Sequence, residues 1–164
     1  AAMNPCPCGW AGDPSGRCLC SDEAIRRYRG RISGPLLERI DLHVEVPRIP
    51  PTALRTDGPP GEASALVRAR VIAARARQYD RCGQANARLD QAQTNAFCRL
   101  SPRDTALLER AVDGLQLSAR SLHRILRVAR TIADLAGSDT IETAHLTEAI
   151  GYRKLERGRE RAAA

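Results

Sequence analysis

Gly30-Arg31-Ile32-Ser33-Gly34-Pro35-Leu36-Leu37-Glu38-Arg39-Ile40-Asp41-Leu42-His43-Val44-Glu45-Val46 changes its hydrophobic period halfway along. Ser33 is a helix-capping residue, and Pro35 fits a first helical turn, where its missing N–H has no bond to make. Leu42, Val44 and Val46 then alternate with His43 and Glu45, which is the period of a half-buried strand and limits the helix to little more than one turn. Arg39 is thereby placed at a helix-to-strand joint.

An arginine at such a joint is carried by two rigid elements while its guanidinium projects from the surface. That arrangement suits donation to a phosphate. The plainer alternative is a surface arginine paired with Glu38 or Asp41, and the local residues alone leave both open.

Around this stretch lie 164 residues that are 43% hydrophobic but only 3% aromatic. A core is possible, and it must be built from Leu, Ile, Val and Ala, which points to helix packing rather than a β-sandwich. The formal charge is +7, and Lys154 is the only lysine among 26 basic residues. Arginine is the better fork for phosphate oxygens, so nucleotide or nucleic acid is a fair partner class, although a biased genome also enriches Arg and Ala.

No stretch approaches the roughly 18 apolar residues of a membrane span. The N-terminus lacks the basic-then-apolar pattern of a secretory signal. A cytoplasmic protein with no membrane partner is expected, and there six cysteines point to metal before disulfides. Ala1-Ala2-Met3-Asn4-Pro5 reads as the end of a strand whose earlier residues are missing, so a fragment is expected.

Cys6-Pro7-Cys8-Gly9 and Cys18-Leu19-Cys20 bring four thiols close in sequence, joined by the turn-forming Gly12, Asp13, Pro14 and Gly16. Four thiolates at Cys6, Cys8, Cys18 and Cys20 make a closed tetrahedral shell for a structural zinc ion in a loop spanning residues 5–22. The C-x-C spacing is tighter than the usual C-x-x-C, and two disulfides or an iron–sulfur cluster are the alternatives. A loop this short has little core, so metal would supply most of its order. Cys82 and Cys98 stand apart in helical context as small buried hydrophobes. His43, His123 and His145 have no ligand spacing with one another.

Pro47, Pro50, Pro51, Gly58, Pro59, Pro60 and Gly61 mark a linker over 48–61, dividing a unit at 1–47 from a helical part at 62–155. From Glu62 to about Arg81, Ala65, Ala69, Ile72, Ala76 and Tyr79 share one helix face. Arg68 and Arg75 flank it on one side and Arg70, Arg77 and Arg81 on the other, either as a track for a phosphate backbone or as a solvated border. A short helix is expected from about Asp90 to Arg99, and Ser101-Pro102 opens another, with Leu107, Leu108, Ala111 and Leu115 on its inner side.

Ser118 opens the most regular helix, whose stripe is Leu122, Ile125, Leu126, Ala129, Ile132, Ala133 and Ala136 before Gly137 ends it. Arg120, Arg124 and Arg127 lie opposite. Arg120 is near the helix N-terminus, where free N–H groups and the dipole favour an anion. A last helix runs from about Glu142 to Leu155, packing Ala144, Leu146 and Ile150, and the tail at 156–164 is charged, then alanine-rich, and expected to fray.

Asn4-Pro5 closing a strand, Leu36-Leu37-Glu38-Arg39-Ile40-Asp41 ending a short helix, and Ser118-Ala119-Arg120 opening a helix in a helical region resemble the C-terminal part of a magnesium-chelatase-like AAA+ ATPase. The Cys6-Pro7-Cys8-Gly9 loop and the run from Ser118 through Arg130 to Leu135 are similar to the ComM (YifB) branch of that group. The resemblance implies a mainly α chain: the remnant of an AAA+ α/β core, a short strand plus the cysteine loop, followed by a helical lid.

It further implies that Asn4 is the sensor 1 residue orienting the attacking water, Arg39 the arginine finger, and Arg120 the sensor 2 arginine, with Arg124 the nearest nucleotide-binding competitor. Ring hexamers, ATP, magnesium and DNA are the implied partners and cofactors, and ATP-driven branch migration during natural transformation is the implied activity. No G-x-x-x-x-G-K-[ST] loop and no Walker B strand occur in these residues, so the piece is expected to be inactive alone. Glu38 stands where the family more usually has Asp. The competing expectations are a zinc-stabilised nucleic-acid-binding module, a helical interaction domain with an incidental metal loop, and a magnesium-chelatase subunit acting on a porphyrin.

Overall fold

A computed structural model describes residues 1–49 and 61–153, and among them seven α-helices and no strand are formed. The chain is mainly α. Most of the linker at 48–61 and the tail at 156–164 lie outside the described residues, and the last helix, expected to run to Leu155, ends at Gly151 with Tyr152 as its cap.

The N-terminal part carries the cysteine loop and two short helices. Helix α1 (Asp22–Arg29) is a helix that the sequence reading did not place. Ser21 caps it, accepting from the Ala24 N–H, and Asp22 and Glu23 in its first turn with Arg26, Arg27 and Arg29 in its last complement the helix dipole. Helix α2 (Gly34–Glu38) begins where Ser33 Oγ accepts from the Leu36 N–H at 3.3 Å, with Pro35 in its first turn, and Arg39 is its C-cap.

Residues 42–49 then run on with no helix and no ladder, and Leu42, Val44 and Val46 are exposed rather than half-buried. The alternation expected of a strand is present, but a strand needs the N–H and C=O groups of a second one beside it, and none lies alongside among the described residues. The segment is tied instead by the His43 N–H, which donates to the Tyr152 carbonyl at 3.0 Å.

Five helices follow: α3 (Ser64–Cys82), α4 (Gln91–Phe97), α5 (Pro102–Gly114), α6 (Ala119–Leu135) and α7 (Thr143–Gly151). Their starts are written in the sequence as side-chain caps. Asp90 and Gln93 form a capping box on α4, Ser101 caps α5 with Pro102 behind it, and Ser118 caps α6. Helix α6 stops at Gly137 (φ +73°), where the Ser138 N–H donates to the Ala133 carbonyl and the Gly137 N–H to the Asp134 carbonyl, the two bonds of a Schellman turn.

Helix α6 is the centre of the core. Ile125, Leu126, Ala129 and Ala133 are buried together with Leu89, Cys98, Leu108, Ile141, Leu146 and Ala149. The two alanines have no exposed surface, which lets neighbouring helices approach closely along that face. Cys98 is buried and Cys82 packs against the same cluster, both as small hydrophobes.

The face expected to bury α3 is the wrong one. Ala65, Ala69, Ile72, Ala76 and Tyr79 are exposed, and the helix docks through Ala74 and Gln78 near its C-terminal end. Polar side chains decide this. Arg81 reaches Asp134 of α6, which has no exposed side-chain surface and also accepts from Asn86 Nδ2 at 2.8 Å, while Gln78 Oε1 accepts from the Asn86 N–H. Burying an ion is tolerable only with such a set of partners, so the helix takes the rotation that delivers Arg81.

Candidate functional site

The cysteine loop folds by tight turns. The Gly9 N–H donates to the Cys6 carbonyl at 3.0 Å, and Gly9 itself sits at φ +81°, a conformation that side chains disfavour. The turn brings Cys6 and Cys8 Sγ to 3.3 Å, and Cys18 Sγ lies 3.8 Å from each. All four thiols, Cys20 included, fall within 4.8 Å of one another.

Tetrahedral thiolate ligation at about 2.3 Å requires sulfur–sulfur edges of about 3.8 Å; the two Cys18 separations match that and the Cys6–Cys8 separation is shorter, so the cluster could hold one metal ion. Cys6 is the buried member of the four. Burial opposes its ionisation, but hydrogen bonds from Cys8, from the Ala11 N–H at 3.3 Å and from Cys18 outweigh burial and lower its pKa to about 6.

Trp10 joins this loop to the rest of the N-terminal part. The Arg17 and Arg48 guanidinium groups lie 5.0 and 5.1 Å from its ring centroid, and Arg29 Nε donates to the Pro5 carbonyl at 2.9 Å. Sequence reasoning missed this role. The signal was available, since Trp10 is the only tryptophan in a chain poor in aromatics.

Arg39 projects from the corner after α2. Its own N–H continues the helix to the Leu36 carbonyl at 3.1 Å, and its side chain is exposed. Neither Glu38 nor Asp41 pairs with it. Asp41 is taken by Arg124 of α6, whose Nη1 also donates to the Arg39 carbonyl at 2.9 Å. His43 Nε2 lies 3.2 Å from the Leu37 carbonyl and closes the corner from the other side.

Arg120 is exposed at the start of α6. It lines a cleft of about 350 Å³ together with Asp90, Gln91, His123, Arg124 and Arg127. Arg127 is committed to the Ala87 and Leu89 carbonyls at 3.3 and 3.2 Å. The fold therefore brings Arg39 and Arg124 together, and Arg120 and Arg124 into one cleft. Asn4 is exposed beside Gly9.

The arginines of α3 do not form a free track. Arg70 pairs with Glu62 at 2.5 Å, and Arg77 and Arg81 pair with Asp139 and Asp134. Arg68 and Arg75 remain exposed, the latter stacked near Tyr79 at 5.7 Å.

Residues 61–153 match the family described as magnesium chelatase, subunit ChlI C-terminal, and residues 1–54 match magnesium chelatase, subunit ChlI. The chain belongs to the magnesium-chelatase family. Within it the chain is similar to the competence protein ComM of Haemophilus influenzae, at 45% identity over 96% of this chain and 30% of that protein. The uncharacterized protein YifB of Escherichia coli is 46% identical over 96% of this chain and 31% of its own length. The uncharacterized protein Rv2897c of Mycobacterium tuberculosis is 36% identical, covering 93% and 30%.

The chain is thus ComM-like, and it spans about three-tenths of the length of the curated relatives it matches. The family places it in an AAA+ context. No helix among the described residues is long and apolar enough to cross a membrane.

Proposed function

We propose that this chain is the sensor, arginine-finger and lid portion of a hexameric AAA+ ATPase of the cytoplasm that drives DNA branch migration during natural transformation. The phosphate loop and the magnesium site would come from the remainder of a longer protein. In this reading Asn4 orients the attacking water, Arg39 reaches the triphosphate bound by a neighbouring subunit, and Arg120 acts from the lid as the sensor 2 arginine, with Arg124 beside it. Cys6, Cys8, Cys18 and Cys20 hold a structural zinc ion.

The observation that carries the reading is the Arg39 corner. The backbone of Arg39 is held by a lid helix through Arg124, its two acidic neighbours do not neutralise it, and its guanidinium faces solvent. An exposed cation on an anchored backbone can approach charge developing on a phosphate held by another molecule, which is what an arginine finger does. The basic balance of +7 supports a nucleic-acid partner, and the Haemophilus influenzae relative is named for competence.

The test uses the full-length protein on a synthetic four-way DNA junction. ATP-dependent conversion of the junction to products, lost in Arg39→Ala, is expected. Absence of any ATP-dependent junction movement by the intact protein would overturn the motor reading.

A further inference from the structure

We infer that Arg124 and Asp41 clamp the corner after α2 to helix α6, and that this clamp positions Arg39 for its neighbour's nucleotide. The inference rests on the finger reading above and adds two residues that act through Arg39 rather than on the nucleotide.

Arg124 leaves only 20% of its side chain exposed, and one of its nitrogens serves two oxygens of the same short segment, the Arg39 carbonyl and the Asp41 carboxylate. A second cation approaches that carboxylate: Arg153, fully buried at the end of α7, places Nη2 4.0 Å from Asp41. The His43 N–H bond to the Tyr152 carbonyl closes the same corner onto α7. Helix α6 and the turn after α7 therefore grip residues 39–43.

Arg39 gains from this because its own head is unrestrained. The fold cannot fix a solvated guanidinium, but it can fix the backbone from which that group swings. Displacement of a charge-stabilising group by about 1 Å can cost about 100-fold in rate, so the anchor matters to turnover and not to nucleotide affinity. Arg120 sits one turn before Arg124 on the same helix, so a shift of α6 at the Arg120 end is transmitted to the Arg39 carbonyl through a single side chain.

The test compares Arg124→Ala, the near-isosteric Asp41→Asn and Arg39→Ala in the full-length protein, measuring steady-state ATP hydrolysis, nucleotide affinity and melting temperature. Arg124→Ala and Asp41→Asn are each expected to lower kcat at least tenfold with nucleotide affinity within twofold of wild type. Either of them combined with Arg39→Ala should lose nothing beyond Arg39→Ala alone, because both act through that residue. A merely structural role would give additive losses that track melting temperature, and that pattern overturns the clamp. So does weakened nucleotide binding in Arg124→Ala that Asp41→Asn does not reproduce, which would make Arg124 a ligand. If Arg39→Ala silences the enzyme while both clamp variants turn over within twofold of wild type, the clamp falls and the finger stands. Full turnover by Arg39→Ala removes the finger reading itself.

Discussion

Arg81 of α3 donates both terminal guanidinium nitrogens to the carboxylate of Asp134, which lies 53 residues away on α6 and has no exposed side-chain surface. Arg130 approaches the same carboxylate at 3.1 Å and donates from Nη2 to the Ser138 carbonyl and from Nη1 to the Asp139 carbonyl. This network joins α3, the 3₁₀ turn at Asn86–Arg88 and the loop after α6.

Removing its acid strands the buried Arg130 and leaves the partly exposed Arg81 without its partner. Asp134→Ala should destabilise the protein by about 3–5 kcal/mol, the cost of breaking a buried pair from one side. Asp134→Asn, which keeps the acceptor oxygen, should cost less, and denaturant unfolding followed by far-ultraviolet circular dichroism reads both.

Metal binding can be followed through Trp10. One zinc ion per chain is the expected elemental content, and a strong chelator should change Trp10 fluorescence by releasing the ring from Arg17 and Arg48 while leaving the signal of α3 to α7 largely intact. Cys6→Ser should reproduce that spectrum without chelator. A chelator-insensitive Trp10 in a metal-free protein would show that the loop orders itself.

Asp104 gives a pH dependence whose sign is fixed. Hydrogen bonds from Thr143, at 2.6 Å, and from Ser101 hold its carboxyl below the ordinary value. The stability that this contributes is present above the unfolded carboxylate pKa of about 3.9 and is lost as pH falls through the lower folded value. Thr143→Val should therefore be less stable than wild type near neutrality, with the difference shrinking on acidification below about pH 4. Melting temperatures of the two proteins across pH 2.5–7, about the range of this transition, decide it.

The elements that were legible in the sequence are those fixed by neighbours in the chain. Ser33, Ser101 and Ser118 are caps because a hydroxyl meets an N–H three residues on, and the stripe of α6 repeats over four turns. The four-cysteine cluster is similarly local. The rotation of α3 was not legible, because an Ala- and Arg-rich helix offers two comparable faces and the choice is made by Asp134, far along the chain. The strand at residues 42–46 failed for a related reason: alternation states a capacity to pair, and pairing needs a second strand. The placing of Arg39 at the end of a one-turn helix was legible in the sequence, while the absence of a strand after it among the described residues and its tie to Arg124 required the fold.

Arg39 is proposed to serve a nucleotide bound by another subunit. The most direct measurement is ATP hydrolysis and nucleotide binding by full-length Arg39→Ala in assembled rings. A fall in turnover of about 10³-fold or more, with nucleotide affinity nearly unchanged, is expected. Hydrolysis by Arg39→Ala at the wild-type rate would contradict it.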